Sequence, residues 1–317
     1  MSMAWVFAEY GLADGTMSVA GRGAMGRVWR LDSGGRSYAM KEFFWAGLDE
    51  RAVHEEAALR DRAVELGLRA PLNLPTTSGR YLAERDGVQV RLYSWADGVP
   101  GSPAGAEEVG TVLGTLHATA LATERPVDPW YDRVAAPGRW SEIPEAAPYE
   151  ERLAELAALV RPADPGRARL CHLDMKQSNL MRAPDGGLVV LDWDNAGPGV
   201  PEQELAGTLL RWHHHDGEVD GGGVKATVAA YRRACGLEPP GGLGAFSMEV
   251  AVLLNYLDAQ ARLAADEGAE PEHRRFAVDA VADVLAKLPT MEAFERVLDA
   301  AAQHAGPPLR RGLRPGR

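Results

Sequence analysis

Residues 169–199, RLCHLDMKQSNLMRAPDGGLVVLDWDNAGPG, constrain this chain more than any other stretch. His172, Asp174 and Asn179 form an H-x-D-x-x-x-x-N pattern, and the apolar run Leu188-Val189-Val190-Leu191 delivers Asp192 at its end. An isolated H-x-D says little. A polar loop, a hairpin, a buried strand and an acid at the strand's end together fix one carboxylate, one amide and a second carboxylate in order. Phosphoryl transfer needs such a set. One carboxylate orients a hydroxyl and accepts its proton, while the amide oxygen and the other carboxylate hold magnesium against the phosphates.

The N-terminal third bears on this expectation. Gly21, Gly23 and Gly26 have G-x-G-x-x-G spacing. A dinucleotide fold would continue from that turn into a helix. Here the turn runs into RVWRL, a strand-like segment, and then the turn Asp32-Ser33-Gly34-Gly35. Strand, glycine turn and strand make the phosphate-covering loop of kinases, whereas alone they would read as an ordinary hairpin. No G-x-x-x-x-G-K-[ST] occurs, which excludes a P-loop. The segment SYAMK alternates as a strand and ends on Lys41. A helix is expected from the N-cap Asp49 to the C-cap Gly67. Ala52, Leu59, Ala63 and Leu66 lie on its apolar face and Glu56 falls on that stripe, so Glu56 is expected to be buried and paired with Lys41. Glu55 faces Arg51 and Arg62 and reads as a surface ion-pair member.

Two further strands, 81–84 and 88–93, flank the turn Arg85-Asp86-Gly87 and lead into YSWADGVPG, where strand character ends. Beyond residue 104 the chain reads as helical. Val109, Val112, Leu113 and Leu116 form a stripe ending near His117, which reads as a packing residue. An irregular segment at 127–148 precedes a helix at 149–160. Later helices are expected at 202–212, 224–235, 246–265, 272–288 and 291–302. His213-His214-His215 reads as a solvated helix end, since three consecutive histidines cannot face one metal from a helix. Residues 306–317, rich in Pro, Gly and Arg, are expected to be disordered.

Length and charge set the frame. At 317 residues the chain can form two lobes. Its net charge of −11 argues against a nucleic-acid partner, whose binding surface is usually basic. The acidity reads first as solubility and also suits a cationic small substrate. Cys171 and Cys235 fit no disulfide or metal framework. The N-terminus lacks a secretory pattern and no apolar run approaches a membrane span, so a cytoplasmic protein with no membrane partner is expected.

In this order, the motifs resemble those of the aminoglycoside phosphotransferase and choline kinase-like family, over residues 17 to about 302. The resemblance implies an α+β, bilobal, protein-kinase-like fold. Residues 1–97 would be a β-rich nucleotide-binding lobe including the hinge, and 98–305 a larger helical lobe. It implies ATP or GTP and Mg2+ as cofactors. Gly21, Gly23 and Gly26 would cover the phosphates, Lys41 would contact them and pair with Glu56, and the backbone of Ser94 and Ala96 would meet the base. Asp174 would be the catalytic base, and Asn179 and Asp192 the metal ligands. Three departures mark this chain. Leu173 stands where the family usually has glycine in H-G-D, and Glu204 stands where it often has an aspartate bracing the catalytic loop. Lys176 occupies a position where protein Ser/Thr kinases carry a lysine that touches the transferred phosphate.

The expected activity is transfer of a γ-phosphate to a hydroxyl of a small molecule, foremost an aminoglycoside or other cationic antibiotic, by a monomer or dimer. A sugar or amino-alcohol kinase is the alternative within the family. A protein kinase is disfavoured because no A-P-E segment follows Asp192, and a nucleotide-binding pseudokinase because every implied ligand is present.

Overall fold

A computed structural model of the chain describes residues 4–22, 26–44, 47–134 and 139–303. Gly23 and the tail at 306–317 lie outside the described residues. The chain forms two compact units, one comprising residues up to Ala104 together with Gln177–Gly197, the other Gly105–Lys176 together with the chain from Pro198 onward.

The first unit opens with the short helix α1 (Trp5–Glu9) and the hairpins β1 (Gly15–Arg22), β2 (Gly26–Ser33) and β3 (Arg36–Phe43). Gly34 and Gly35 take the positive φ that the tight β2–β3 turn demands. Helix α2 (Glu50–Glu65) follows, and Asp49 caps it by accepting the Arg51 N–H at 3.1 Å. Strands β4 (Asn73–Leu74), β5 (Leu82–Arg85) and β6 (Val88–Ser94) complete an antiparallel sheet of order β1-β2-β3-β6-β4, with β5 also on β6. Its core gathers Val6, Phe7, Leu31, Met40, Val90 and Leu92, with Tyr10 donating its hydroxyl to the Val90 carbonyl at 3.2 Å.

After β7 (Val99–Pro100) and the second unit's β8 (Arg169–Cys171), the hairpin β9 (Leu180–Arg182) and β10 (Leu188–Val190) returns to the first unit, where β9 pairs with β7. The Val190 N–H also donates to the Arg69 carbonyl at 2.8 Å. These bonds draw the hairpin into the N-terminal unit and move its edge to Ala104, instead of the expected cut after Asp97.

The second unit is helical, as the α+β reading requires: α3 (Ala106–Ala118), α4 (Pro129–Asp132), α5 (Glu150–Ala157), α6 (Pro201–His213), α7 (Gly221–Cys235), α8 (Ser247–Ala265), α9 (Pro271–Ala286) and α10 (Met291–Ala302). Helices α3 and α7 lie in close contact because Gly110 and Gly114 carry no side chain. A Cβ on Gly110 would sit 2.2 Å from the Thr227 carbonyl oxygen. Helix α7 begins three residues earlier than expected, since Asp220 accepts the Gly223 N–H at 3.0 Å and caps the glycine run into the first turn. No helix among the described residues is long and apolar enough to cross a membrane.

Candidate active site

A cavity of about 400 Å³ lies within the first unit. Gly21, Gly26, Val28, Ala39 and Lys41 line it from β1 to β3, Arg60 and Tyr93 from α2 and β6, and Ser178, Asn179, Asp192 and Asp194 from the hairpin and its flanks. Lys41 lies far from Asn179 and Asp192 in the chain, and the fold brings all three to one cavity. The two glycines serve it differently. A Cβ on Gly21 would meet nothing within 4 Å, so the wall there is open, whereas one on Gly26 would lie 2.3 Å from the Glu42 carbonyl oxygen. Gly26 is thus required by strand packing. Ser94 and Ala96 are not among the described lining residues, and Ser94 already gives its N–H to the Leu72 carbonyl at 2.9 Å.

Asp192 and Asn179 offer hard oxygen donors of the kind magnesium takes. Asp192 sits just past β10 with φ 54°, a left-handed conformation that aspartate tolerates better than most side chains. Its backbone is fixed by neighbours on both sides: the Leu191 N–H donates to the Asn179 carbonyl at 2.8 Å and the Trp193 indole N–H to the Val190 carbonyl at 3.0 Å. The Asp192 side chain stays 43% exposed.

The expected Lys41–Glu56 pair is not formed. Lys41 Nζ lies 2.9 Å from Asp192 Oδ1 and is also paired with Asp194. Burial disfavours its charge, but the carboxylates of Asp194 and then Asp192 outweigh that and hold its pKa above the ordinary lysine value. Glu56 is buried, as its helix stripe required, yet its carboxylate is taken by Arg60 one turn along α2 and by Arg91 of β6. The sheet register explains the exchange. Lys41 and Arg91 are direct cross-strand partners on β3 and β6, so two cations share one face. Like charges so placed repel, and acids must lie between them: Asp194 by the lysine, Glu56 by the arginine.

The loop that carries Asp174 belongs to the second unit. His172 is fully buried, and Leu173 adopts φ 64°, a strained conformation for a leucine. Its N–H donates to Glu204 Oε1 at 2.6 Å. The other oxygen of Glu204 is 2.7 Å from His117 Nε2, and His117 Nδ1 is 2.8 Å from the Tyr231 hydroxyl. Burial works against the Glu204 charge, but the His117 hydrogen bond and the Leu173 N–H outweigh it and hold its pKa below the usual glutamate range. His117 is therefore a satisfied interior residue, as expected, and it also steadies the glutamate under the loop. Lys176 Nζ is 2.8 Å from Asp174 Oδ2.

Around this loop, burial pushes the Tyr131 phenol up, with Asp174 contributing through its charge, and burial likewise raises the Glu249 carboxyl. Glu249 is paired with Arg211, and Asp258 with Arg262 and Arg139, so both acids already hold cations. Among the histidines, His213 is buried and bonded to Thr227 Oγ1 at 2.8 Å, while His214 and His215 form a two-residue ladder with Glu218–Val219. A plain solvated helix end does not describe them.

The family model of the phosphotransferase enzyme family matches residues 16–237. An uncharacterized protein of Deinococcus radiodurans is 25% identical over 224 residues, and the match spans 62% of each chain. Among solved structures, spectinomycin phosphotransferase in complex with ADP and spectinomycin is similar at a TM-score of 0.65 and 14% identity, covering 93% of this chain and 96% of that one. Amicoumacin kinase in complex with AMP-PNP, Ca2+ and Ami is similar at a TM-score of 0.60 and 14% identity, covering 91% of this chain and 95% of that one.

Proposed function

The chain belongs to the phosphotransferase enzyme family, and we propose that it transfers the γ-phosphate of ATP or GTP to a hydroxyl of a small amine-bearing molecule, an aminoglycoside or another cationic antibiotic. The observation that carries this reading is the convergence of Lys41, Asn179 and Asp192 on one cavity. Lys41 would hold the α- and β-phosphates by charge-assisted contact. Asn179 and Asp192 would hold magnesium, which neutralises phosphate charge when bound. Gly21, where a Cβ would meet nothing within 4 Å, would let the phosphates approach the backbone of β1. Asp174 stands just before Ser178 and Asn179 in the chain, and its carboxylate would orient the acceptor hydroxyl and take its proton.

The acceptor class is supported by the net charge of −11 and by the antibiotics named for the two similar structures. Lys176, now paired with Asp174, would turn to the transferred phosphate. Nucleotide consumption measured against a panel of aminoglycosides, other antibiotics, sugars and amino alcohols tests both parts. The best acceptor should carry an amine. A best acceptor that is neutral or anionic overturns the class and leaves phosphotransfer standing, while no turnover with any hydroxylated compound overturns both.

A further inference from the structure

We infer that Asp194 is the residue that positions Lys41 toward the nucleotide, and that Arg91 joins Asp194 to helix α2 in place of a direct lysine–glutamate pair. The inference rests on the nucleotide site proposed above and concerns how this chain builds it. Six acidic and basic side chains stand in series here. Asp192 and Asp194 flank Lys41, Asp194 also faces Arg91 Nη1 at 3.9 Å, Arg91 is paired with Glu56, and Glu56 with Arg60.

The two aspartates are not equivalent. Asp194 is only 11% exposed, against 43% for Asp192. Asp192 is also the proposed metal ligand, so its carboxylate has another claim on it. Asp194 is set in the short 3-10 turn Trp193–Asn195, which ends when the Ala196 N–H reaches the Trp193 carbonyl at 2.9 Å. Mostly shielded from solvent and held between Lys41 and Arg91, it is the acid that remains beside the lysine whatever Asp192 binds.

Where a lysine is held by a helix carboxylate, moving the helix moves the lysine. Here Glu56 is fully engaged by two arginines, one of them on the central strand β6. Helix α2 is thereby pinned to the sheet, and the lysine takes its orientation from the segment after β10. Position of the helix and position of the lysine are separate properties in this chain.

The test compares Asp194→Asn with the wild type by four readouts: nucleotide Kd in EDTA from calorimetry, nucleotide KM, acceptor KM and the magnesium midpoint. Asn keeps the shape and removes the charge, and Arg91 retains Glu56, so the fold should hold. Asp194→Glu, which keeps the charge, serves as the rescue variant. The expected result is a rise in nucleotide Kd and KM of about tenfold to a hundredfold, the range of a hydrogen bond to a charged group. Acceptor KM and the magnesium midpoint should stay as in wild type, and Asp194→Glu should recover part of the loss. Unchanged nucleotide affinity in Asp194→Asn overturns the inference. So does a shifted magnesium midpoint with unchanged metal-free affinity, which would make Asp194 a metal ligand. A wild-type protein that binds neither ATP nor GTP overturns the functional reading instead.

Discussion

Glu56 shows what a single buried carboxylate demands. Its side chain is 3% exposed, as is that of Arg91. Removing one member of such a set leaves charge buried without its partner, at a cost of about 3–5 kcal/mol. Glu56→Gln should therefore lower the unfolding midpoint strongly, while Glu55→Gln, whose residue is paired with Arg51 at 3.9 Å, should change stability by less than about 0.5 kcal/mol. Equal midpoints for the two variants by thermal or urea denaturation would contradict the assignment. That Glu56 is buried was legible from the helical stripe, and Arg60 at i+4 on the same face was a legible partner. Its bond to Arg91 was not. It depends on the β3–β6 register, which pairs residues about fifty positions apart and cannot be read from local periodicity.

At the scale of elements, the loop that carries Asp174 is held by helices distant in sequence. Glu204 of α6 takes the Leu173 N–H, and His117 of α3 and Tyr231 of α7 support the glutamate in turn. The spacing of Asp174, Asn179 and Asp192 announced the loop and hairpin, but nothing near His117 or Tyr231 announced their service to it. Because the folded pKa of Glu204 is depressed, its stabilisation is present above the unfolded glutamate value, about 4.3, and is lost as pH falls through the folded one. Glu249 has the opposite sign, since burial raises its pKa and the folded state holds its proton more firmly. Glu204→Gln should thus flatten the acid limb of the stability profile, measured by denaturation between about pH 3 and 6. A limb as steep as in wild type would mean that this carboxylate is not ionised in the fold. Helix packing gives a second check. Gly110→Ala forces a Cβ against the Thr227 carbonyl oxygen and should cost about 1–3 kcal/mol, read as a lower unfolding midpoint. An unchanged midpoint would mean that α3 and α7 separate easily.

At the scale of the molecule, the two units divide the proposed labour: the cavity with Lys41, Asn179 and Asp192 in one, and Asp174 with its bracing glutamate in the other. The acidic balance of the whole chain makes attraction of a cationic acceptor a screened, long-range effect, acting within roughly 8 Å at physiological salt. Acceptor KM should accordingly rise with ionic strength more than nucleotide KM does. Asp174 is the proposed base in phosphate transfer to a hydroxyl, and Asp174→Asn tests that role most directly. With the best acceptor from the panel, turnover should fall by about 10²–10⁴-fold while nucleotide Kd and the unfolding midpoint remain as in wild type. Retention of most wild-type turnover by the Asn variant would contradict the account.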